Sequence, residues 1–254
     1  MRGSVIHYSY MKTTWLYLLL LPVLLLPAAC KKPGCLEQAG ARITVSLPLA
    51  SFSKLVLTDN INLLLTQDSL EKIEIDAPAH IQPNIIHEIS GQTLTVSNTT
   101  ECRWLRNADE KVNVHLFFKN LEQVDYQGSG DITNTDTLKL DALEIDSRTG
   151  AGNIELTLDN RYIGSYIFLE NAAVTLHGRA QSCYSYTNAR GKIDFSDLTA
   201  RSMVIEYGGL ADTHVHVTDK LDAILYYKGN LFYSGNPVIS RSETLSTGRL
   251  IHTH

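Results

Sequence analysis

The sequence Tyr126-Gln-Gly128-Ser-Gly130-Asp-Ile132 opens a stretch in which one short pattern recurs. Its second half returns as Gly150-Ala-Gly152-Asn-Ile154, and weaker copies follow. One small residue marks each copy at intervals of about 20 residues, and this column consists of Gly130, Gly152, Ala172, Gly191, Gly209 and Gly229. An interval of this length is typical of one coil of a β-solenoid.

The residues two places after this column indicate how each coil is buried. They are nearly all aliphatic, namely Ile132, Ile154, Val174, Ile193, Ala211 and Leu231, and the residues one place further on are mostly polar. Because successive side chains of a strand point to opposite faces, the first set faces a core and the second faces solvent. The pattern predicts an all-β chain wound as a parallel β-helix. An antiparallel sandwich of short strands with glycine turns is the alternative.

Residues 1–29 have the features of a secretory signal peptide, with Met11 as its working start. Lys12 precedes an apolar run, Leu16 to Leu26, that is too short to span a membrane. The sequence Leu26-Pro-Ala-Ala-Cys30 resembles a bacterial lipobox. Residues 30–41 are therefore interpreted as a lipidated Cys30 with its tether, anchored to the outer membrane on its periplasmic or cell-surface side. A soluble secreted protein cleaved nearby is the alternative.

Charge and cysteine content narrow the functional classes. The formal net charge is −5, and no block of lysine and arginine is present, which argues against a nucleic-acid partner. Besides Cys30, the chain carries Cys35, Cys102 and Cys183. In an oxidising compartment, Cys35 and Cys102 could form a disulfide bond. Cys183 is interpreted as a small hydrophobic residue of the core.

The preceding part of the chain is also rich in strand patterns, and an ordered set of motifs resembles a known family. The motifs are Phe52-Ser-Lys-Leu-Val-Leu57, Asn60-Ile-Asn-Leu-Leu-Leu-Thr-Gln67, Gly91-Gln-Thr-Leu-Thr-Val96, Leu121-Glu-Gln-Val-Asp-Tyr-Gln-Gly-Ser-Gly-Asp-Ile132 and Tyr227-Lys-Gly-Asn-Leu-Phe-Tyr-Ser-Gly-Asn-Pro237. They occur in the order seen in the putative auto-transporter adhesin, head GIN domain family. The resemblance implies one right-handed β-helical domain over residues 42–254, secreted or lipidated, with no agreed catalytic residues.

Two groups of residues are candidates for chemistry. His214 and His216 lie on one face of a predicted strand, a spacing that some zinc sites use, but a third ligand would be needed. Acidic residues recur along the coils, and they are Asp131, Asp146, Glu155, Asp194, Asp197 and Asp212. With Arg148 or Arg190 they could serve a polysaccharide-active enzyme, provided that two carboxylates converge. Solvated polar faces give the same pattern, so no catalytic residue, metal or cofactor is expected.

Tyrosines crowd the second half of the chain and are the candidate ligand-facing residues. Tyr184 and Tyr186 share one predicted face, and Tyr207 and Tyr227 are predicted to occupy the same position in successive coils. Outward tyrosines could stack on sugar rings or contact a protein, although aromatic residues also favour strands for packing alone.

The sequence therefore favours a non-catalytic envelope lipoprotein that presents a solenoid face to a glycan or a protein. A periplasmic structural protein without a dedicated ligand is the second hypothesis, and a polysaccharide-active enzyme is the third. An uncovered solenoid end would in addition favour association between copies of the chain.

Overall fold

A computed structural model describes residues 40–100, 111–168, 172–188 and 190–253. Ala39–His254 forms one compact unit. The predicted signal peptide, the lipidated Cys30 and the candidate Cys35–Cys102 bridge lie outside the described residues. Within those ranges, no helix has the length and apolar character needed to cross a membrane.

Strands dominate the described chain, and one 3₁₀ turn at Gln82–Asn84 interrupts them. The strands are β1 Arg42–Pro48, β2 Lys54–Asp59, β3 Ile61–Gln67, β4 Lys72–Pro78, β5 Ile85–Ser90, β6 Thr93–Asn98, β7 Val112–Phe118, β8 Gln123–Gly128, β9 Ile132–Asn134, β10 Ala142–Ser147, β11 Asn153–Phe168, β12 Ala173–Asn188, β13 Ile193–Tyr207, β14 Thr213–Leu225, β15 Leu231–Ser234, β16 Val238–Thr244 and β17 Leu250–His252.

The predicted parallel coil is confirmed by the pairing of these strands. Ile145 pairs in parallel with Ser165, Ser165 with Ser185, and Ser185 with Ile205, so each partner lies 20 residues further along the chain. The solenoid makes about six turns. Its right-handed sense stays a prediction.

Each coil contributes to two ladders of paired strands, which share one hydrophobic core. The front ladder contains β5, β6, β2, β8, β10, the second halves of β11 to β14, and β16. The back ladder contains β1, β4, β7, β3, β9, the first halves of β11 to β14, β15 and β17. Alternating burial along the strands, such as that of β12, sends every second side chain into the core.

The aliphatic column of the back ladder differs from the prediction at one coil. Ile132, Ile154, Val174 and Ile193 are paired in succession as predicted. The next place is taken by Thr213 rather than Ala211, since Thr213 pairs with Leu231. Thr213 is fully buried, and its hydroxyl donates to the carbonyl of Ile193 at 2.7 Å. A threonine can therefore replace an aliphatic residue here because its hydroxyl has a partner.

The beginning of the solenoid is not a simple parallel coil. β1 pairs with β4, β4 with β7, and β5 with β6, all in antiparallel fashion. The coil formed by β6 and β7 lies outside the coil formed by β2 and β3, although it comes later in the chain. These strands cover the first parallel coils, which would otherwise expose unpaired edges.

Glycines in the repeat are required by close contacts rather than by unusual dihedral angles. Gly130 and Gly152 do not have positive φ values. A Cβ atom at Gly152 would clash with the carbonyl oxygen of Gly130 and with the hydroxyl of Tyr126. The Tyr126 ring lies in the core between these two corners, where its hydroxyl donates to the carbonyl of Gly130 and accepts from the N–H of Gly152. Ala172 fits the same column, where it is buried and has an ordinary φ value.

Candidate functional site

An aromatic belt covers the outward face of the front ladder in two neighbouring coils. It is formed by Tyr162, Tyr166 and Phe168 from β11 and by Tyr184 and Tyr186 from β12. The ring centroids of Tyr166 and Tyr184 lie 5.5 Å apart, and those of Phe168 and Tyr186 lie 5.2 Å apart. These distances are typical of favourable aromatic pairs. Tyr184 and Tyr186 thus face outward, as predicted from their spacing.

Gly164 lies beneath the belt and allows its rings to lie close to the ladder. A Cβ atom there would approach the Tyr166 ring to 3.0 Å and the Tyr162 hydroxyl to 3.3 Å. The rings therefore cover the glycine backbone and one another, and the belt tyrosines are only partly exposed. Much of the belt's apolar area is already used for packing, which leaves its edge as the surface best suited to a ligand.

At that edge lies a shallow cavity of about 670 Å³, here called the corner pocket, where the front ladder turns toward the back ladder. Its lining residues are Tyr186, Asn188, Arg190, Gly208, Leu210, Tyr226 and Tyr227. Leu210 is 54% exposed, Tyr226 40% and Tyr227 44%. Three large apolar side chains thus meet solvent around one concavity, a combination found at ligand sites.

Glu206 connects the belt with the corner pocket. Its carboxylate accepts a hydrogen bond from the Tyr184 hydroxyl at 3.0 Å and another from the Tyr226 hydroxyl at 2.6 Å. Burial and the bond to Glu206 raise the pKa of Tyr184 to about 12, and the bond to Glu206 also raises the pKa of Tyr226. Both phenols therefore remain protonated donors at neutral pH, and the bond restricts the orientation of the Tyr226 ring.

The predicted outward position of Tyr207 is wrong. Tyr207 pairs with Leu225, is 1% exposed, and donates its hydroxyl to the carbonyl of Ala211 inside the core. It is the counterpart of Tyr126, and Gly229 leaves room for its ring. Tyr227 lies two residues beyond the Leu225 position, at the rim of the corner pocket, so the two tyrosines do not share a coil position.

The sequence prediction missed Tyr226 and Leu210 as site residues. Tyr226 follows the buried Leu225 at the end of β14, where alternation predicts an outward side chain. Leu210 lies in the corner between β13 and β14, and no periodic signal marks it. An adjacent Tyr226-Tyr227 pair at a corner was the available signal.

The histidine pair lies on the outward face of the back ladder, as its spacing predicts. His214 stacks on Phe232 with a centroid distance of 4.9 Å, and the Nδ1 atom of His216 lies 2.7 Å from the Ser234 hydroxyl. Asp212 accepts hydrogen bonds from Asn230 instead of facing the pair. Across the ranges that the structure covers, no group of three His, Cys, Asp or Glu side chains is arranged to hold a metal ion.

The recurring acidic residues do not converge on one cleft. Asp146 lies on the front ladder beside Arg148, whereas Glu155 and Asp194 lie on the back ladder. The His177 ring lies between Glu155 and Asp197. Its Nε2 atom is 3.3 Å from the Glu155 carboxylate, and its Nδ1 atom is 3.4 Å from the Asp197 carboxylate. The described carboxylates thus resemble solvated, locally paired side chains more than a hydrolytic pair.

Solved structures of known proteins share this architecture. A putative adhesin from Bacteroides fragilis NCTC 9343 is 21% identical, with a TM-score of 0.75 over 84% of this chain and 97% of that chain. A putative adhesin from Parabacteroides merdae ATCC 43184 is 19% identical, with a TM-score of 0.62 over 85% of this chain and 97% of that chain. A protein from Parabacteroides distasonis ATCC 8503 described as a putative lipid binding protein is 18% identical, with a TM-score of 0.59 over 85% of this chain and 98% of that chain. At these identities the likeness shows a common fold.

A search of curated proteins finds no significant match. The model of the head GIN domain family matches residues 51–237, which contain most of the solenoid, the aromatic belt and the corner pocket. The chain therefore belongs to the putative auto-transporter adhesin, head GIN domain family.

Proposed function

We propose that this protein is a non-catalytic binding module of the cell envelope, which contacts a glycan or protein ligand through the corner pocket and the adjoining aromatic belt. The observation that carries this proposal is the exposure of Leu210, Tyr226 and Tyr227 around a single concavity. Contiguous exposed apolar side chains with a polar rim often mark an interaction site. Membership of an adhesin family supports the same conclusion.

The variant Tyr226→Ala with Tyr227→Ala tests the proposal. We expect binding of the full chain to a glycan array, or to isolated envelope proteins by crosslinking, to fall at least ten-fold, because tyrosines that a ligand covers at the centre of an interface are frequent hot spots, each costing about 2 kcal/mol or more when truncated. Val238→Ala is the matched control, since Val238 is 71% exposed but does not line the pocket. Equal binding by the double variant and the control would contradict a ligand site at this corner.

A complete lack of ligand for the unaltered chain would instead favour the structural envelope protein. Sustained cleavage of uronate polymers by the purified protein would favour the enzymatic hypothesis. Either result is independent of the solenoid fold, which many unrelated activities could use.

The proposed location is the outer membrane, with the lipid on Cys30 as the anchor. Replacing Cys30 by alanine should remove incorporation of labelled fatty acid and release the domain from the membrane fraction. Protease treatment of intact cells then distinguishes the two sides of the membrane. Cleavage without lysis indicates a surface-facing adhesin, whereas protection until the outer membrane is opened indicates a periplasmic binding module.

A further inference from the structure

We propose that the corner pocket accommodates one carboxylated sugar residue of a glycan, with Arg190 as the counter-ion of the sugar carboxylate. This inference rests on the proposed binding function and gives it a ligand class. It follows from three features of the pocket, which are its width, its charge and the absence of a free strand edge beneath it.

The width of the pocket is set by Gly208. Backbone hydrogen bonds place Gly208 in the coil after Asn188 and Tyr226 in the coil after Gly208, so the three residues form one outward column. Coils repeat about every 4.8 Å, so the backbones of Asn188 and Tyr226 lie roughly 10 Å apart, and the missing side chain at Gly208 leaves a slot between them. One ring in contact with both walls needs about 8 Å, whereas two stacked rings need about 12 Å. The slot therefore fits a single sugar ring.

The slot offers both an apolar and a polar wall. Tyr226 supplies an exposed aromatic ring that the hydrogen bond to Glu206 holds in place. On the other side, a Cβ atom at Gly208 would lie 3.3 Å from the Oδ1 atom of Asn188, so this amide oxygen borders the slot. A sugar ring could stack on the tyrosine and donate a hydroxyl hydrogen bond to Asn188.

The one formal charge among the side chains that line the pocket is positive, and the Glu206 carboxylate that holds Tyr226 is not part of this lining. Arg190 is the charged residue of its lining, and no carboxylate in the described ranges forms an ion pair with it. By contrast, Arg161, Arg179 and Arg201 each hold an aspartate at 2.6–2.9 Å. The Nζ atom of Lys228 lies 5.6 Å from the Tyr227 ring centroid and adds positive charge at the rim. A planar guanidinium that pairs with none of the described carboxylates is well suited to a ligand carboxylate.

A sugar fits these features better than an acidic peptide. The strands beneath the pocket, β12, β13 and β14, have a parallel partner on each side. Extended peptides commonly bind by adding a strand to a free edge, and no such edge is available at this position. Recognition must therefore come from side chains that stack, pair in charge and hydrogen-bond, which is how a single sugar residue is held.

The test compares charged and esterified sugars on the full-length chain. The probes are short oligomers of galacturonic acid, glucuronic acid and sialic acid, each beside its methyl ester, which keeps the ring but removes the charge. We expect at least one acid to bind about ten-fold more tightly than its ester, and Arg190→Gln to abolish that difference. Arg179→Gln is the control, because Arg179 is exposed in the middle of β12, at the opposite corner of the coil, and does not line the pocket.

The slot itself is tested with Gly208→Val, which should block binding of acids and esters alike, with an unfolding curve showing that the fold is kept. Equal affinity for acid and ester, no effect of Arg190→Gln, or no binding by any probe would overturn the acidic-sugar proposal. If Tyr226→Ala still abolishes binding of a neutral glycan or a protein ligand, the binding function stands and this ligand class alone is wrong.

Discussion

Two core tyrosines, Tyr126 and Tyr207, form buried hydrogen bonds to the backbone at the corners of the solenoid. Each hydroxyl donates to a backbone carbonyl four residues further along the chain, at Gly130 and Ala211 respectively. Ordinary coils use a smaller residue at this position, and Ser147 and Thr187 are examples. The tyrosines thus bind the corners of successive coils to one another from inside the core.

Burial of these phenols predicts a loss of stability at alkaline pH. Burial, assisted by the charges of Asp131 and Asp212, raises the pKa of both Tyr126 and Tyr207 to about 12. An unfolded tyrosine ionises near pH 10, so the unfolded chain releases its protons first as the pH rises. The stabilisation is therefore complete below about pH 10 and is lost between about pH 10 and 12, by up to about 3 kcal/mol for each ring.

Urea unfolding at pH 8, 10 and 11.5 measures this loss. Replacing both residues by phenylalanine should lower the stability at pH 8, because the N–H of Gly152 loses its acceptor, and should make the curve flatter above pH 10. Tyr227→Phe is the control, since this ring is exposed. An unchanged alkaline slope in the double variant would show that other groups cause the loss.

At the scale of the strand and its corner, the column of small residues that marks each coil contains positions that have no space for a side chain and positions that accept a methyl group. Gly152 is closed in by the Gly130 carbonyl and the Tyr126 hydroxyl, whereas Ala172 occupies the same column with its methyl group buried. We therefore expect Gly152→Ala to destabilise the protein by roughly 1–3 kcal/mol through overpacking, at the upper end because two atoms lie within clash distance. Ala172→Gly should cost only about 1 kcal/mol. Equal costs in urea unfolding would contradict this assignment.

The parallel coil was predictable because its repeat is local. Glycine pairs and aliphatic residues recur every coil, and strand alternation translates them directly into inward and outward faces. The reason for the glycines was not predictable, since it depends on a tyrosine ring that reaches the corner from the preceding coil. The same limit explains Tyr207, whose local pattern matches that of an outward tyrosine although it fills the core.

The corner pocket could not be derived from the repeat. Its residues come from three consecutive corners, and its depth depends on Gly208 lying between Asn188 and Tyr226 in space. The sequence repeat aligned Ala211 with Leu231, whereas Thr213 pairs with Leu231 in the structure. An error of two residues in one coil is enough to hide which residues of neighbouring corners lie together. The antiparallel pairing of β1, β4 and β5 was also not predictable, because the alternation of apolar and polar residues along a strand is the same in parallel and antiparallel sheets.

At the scale of the whole molecule, the open edge of β16 is a place where two solenoids could join end to end. None of the described strands pairs with its outer edge. The edge carries Arg241 and Glu243, and a register shift at Ser240 distorts it. Charges and bulges of this kind oppose edge-to-edge pairing.

We therefore expect the unaltered protein to be monomeric at micromolar concentration, and Arg241→Val with Glu243→Val to self-associate. Light scattering after size-exclusion chromatography measures the molar mass of both proteins. Gln181→Val with Ser182→Val is the control for added surface hydrophobicity, because these residues lie on β12, which has a partner strand on each side. A dimer of the unaltered chain that the double substitution dissociates would mean that these charges join the solenoid ends instead of keeping them apart.

The order in which the first coils are laid down also constrains how the protein can assemble and vary. The coil of β2 and β3 is flanked by β6 and β7 on one side and by β8 and β9 on the other, so its first neighbour in space is complete by Phe118. From β8 onward, each coil is added to the same side of the preceding one. A chain that folds from its N-terminus can thus complete β1 to β7 before the later coils are added. The gain or loss of whole coils in evolution would change the length of the solenoid and leave these first strands intact.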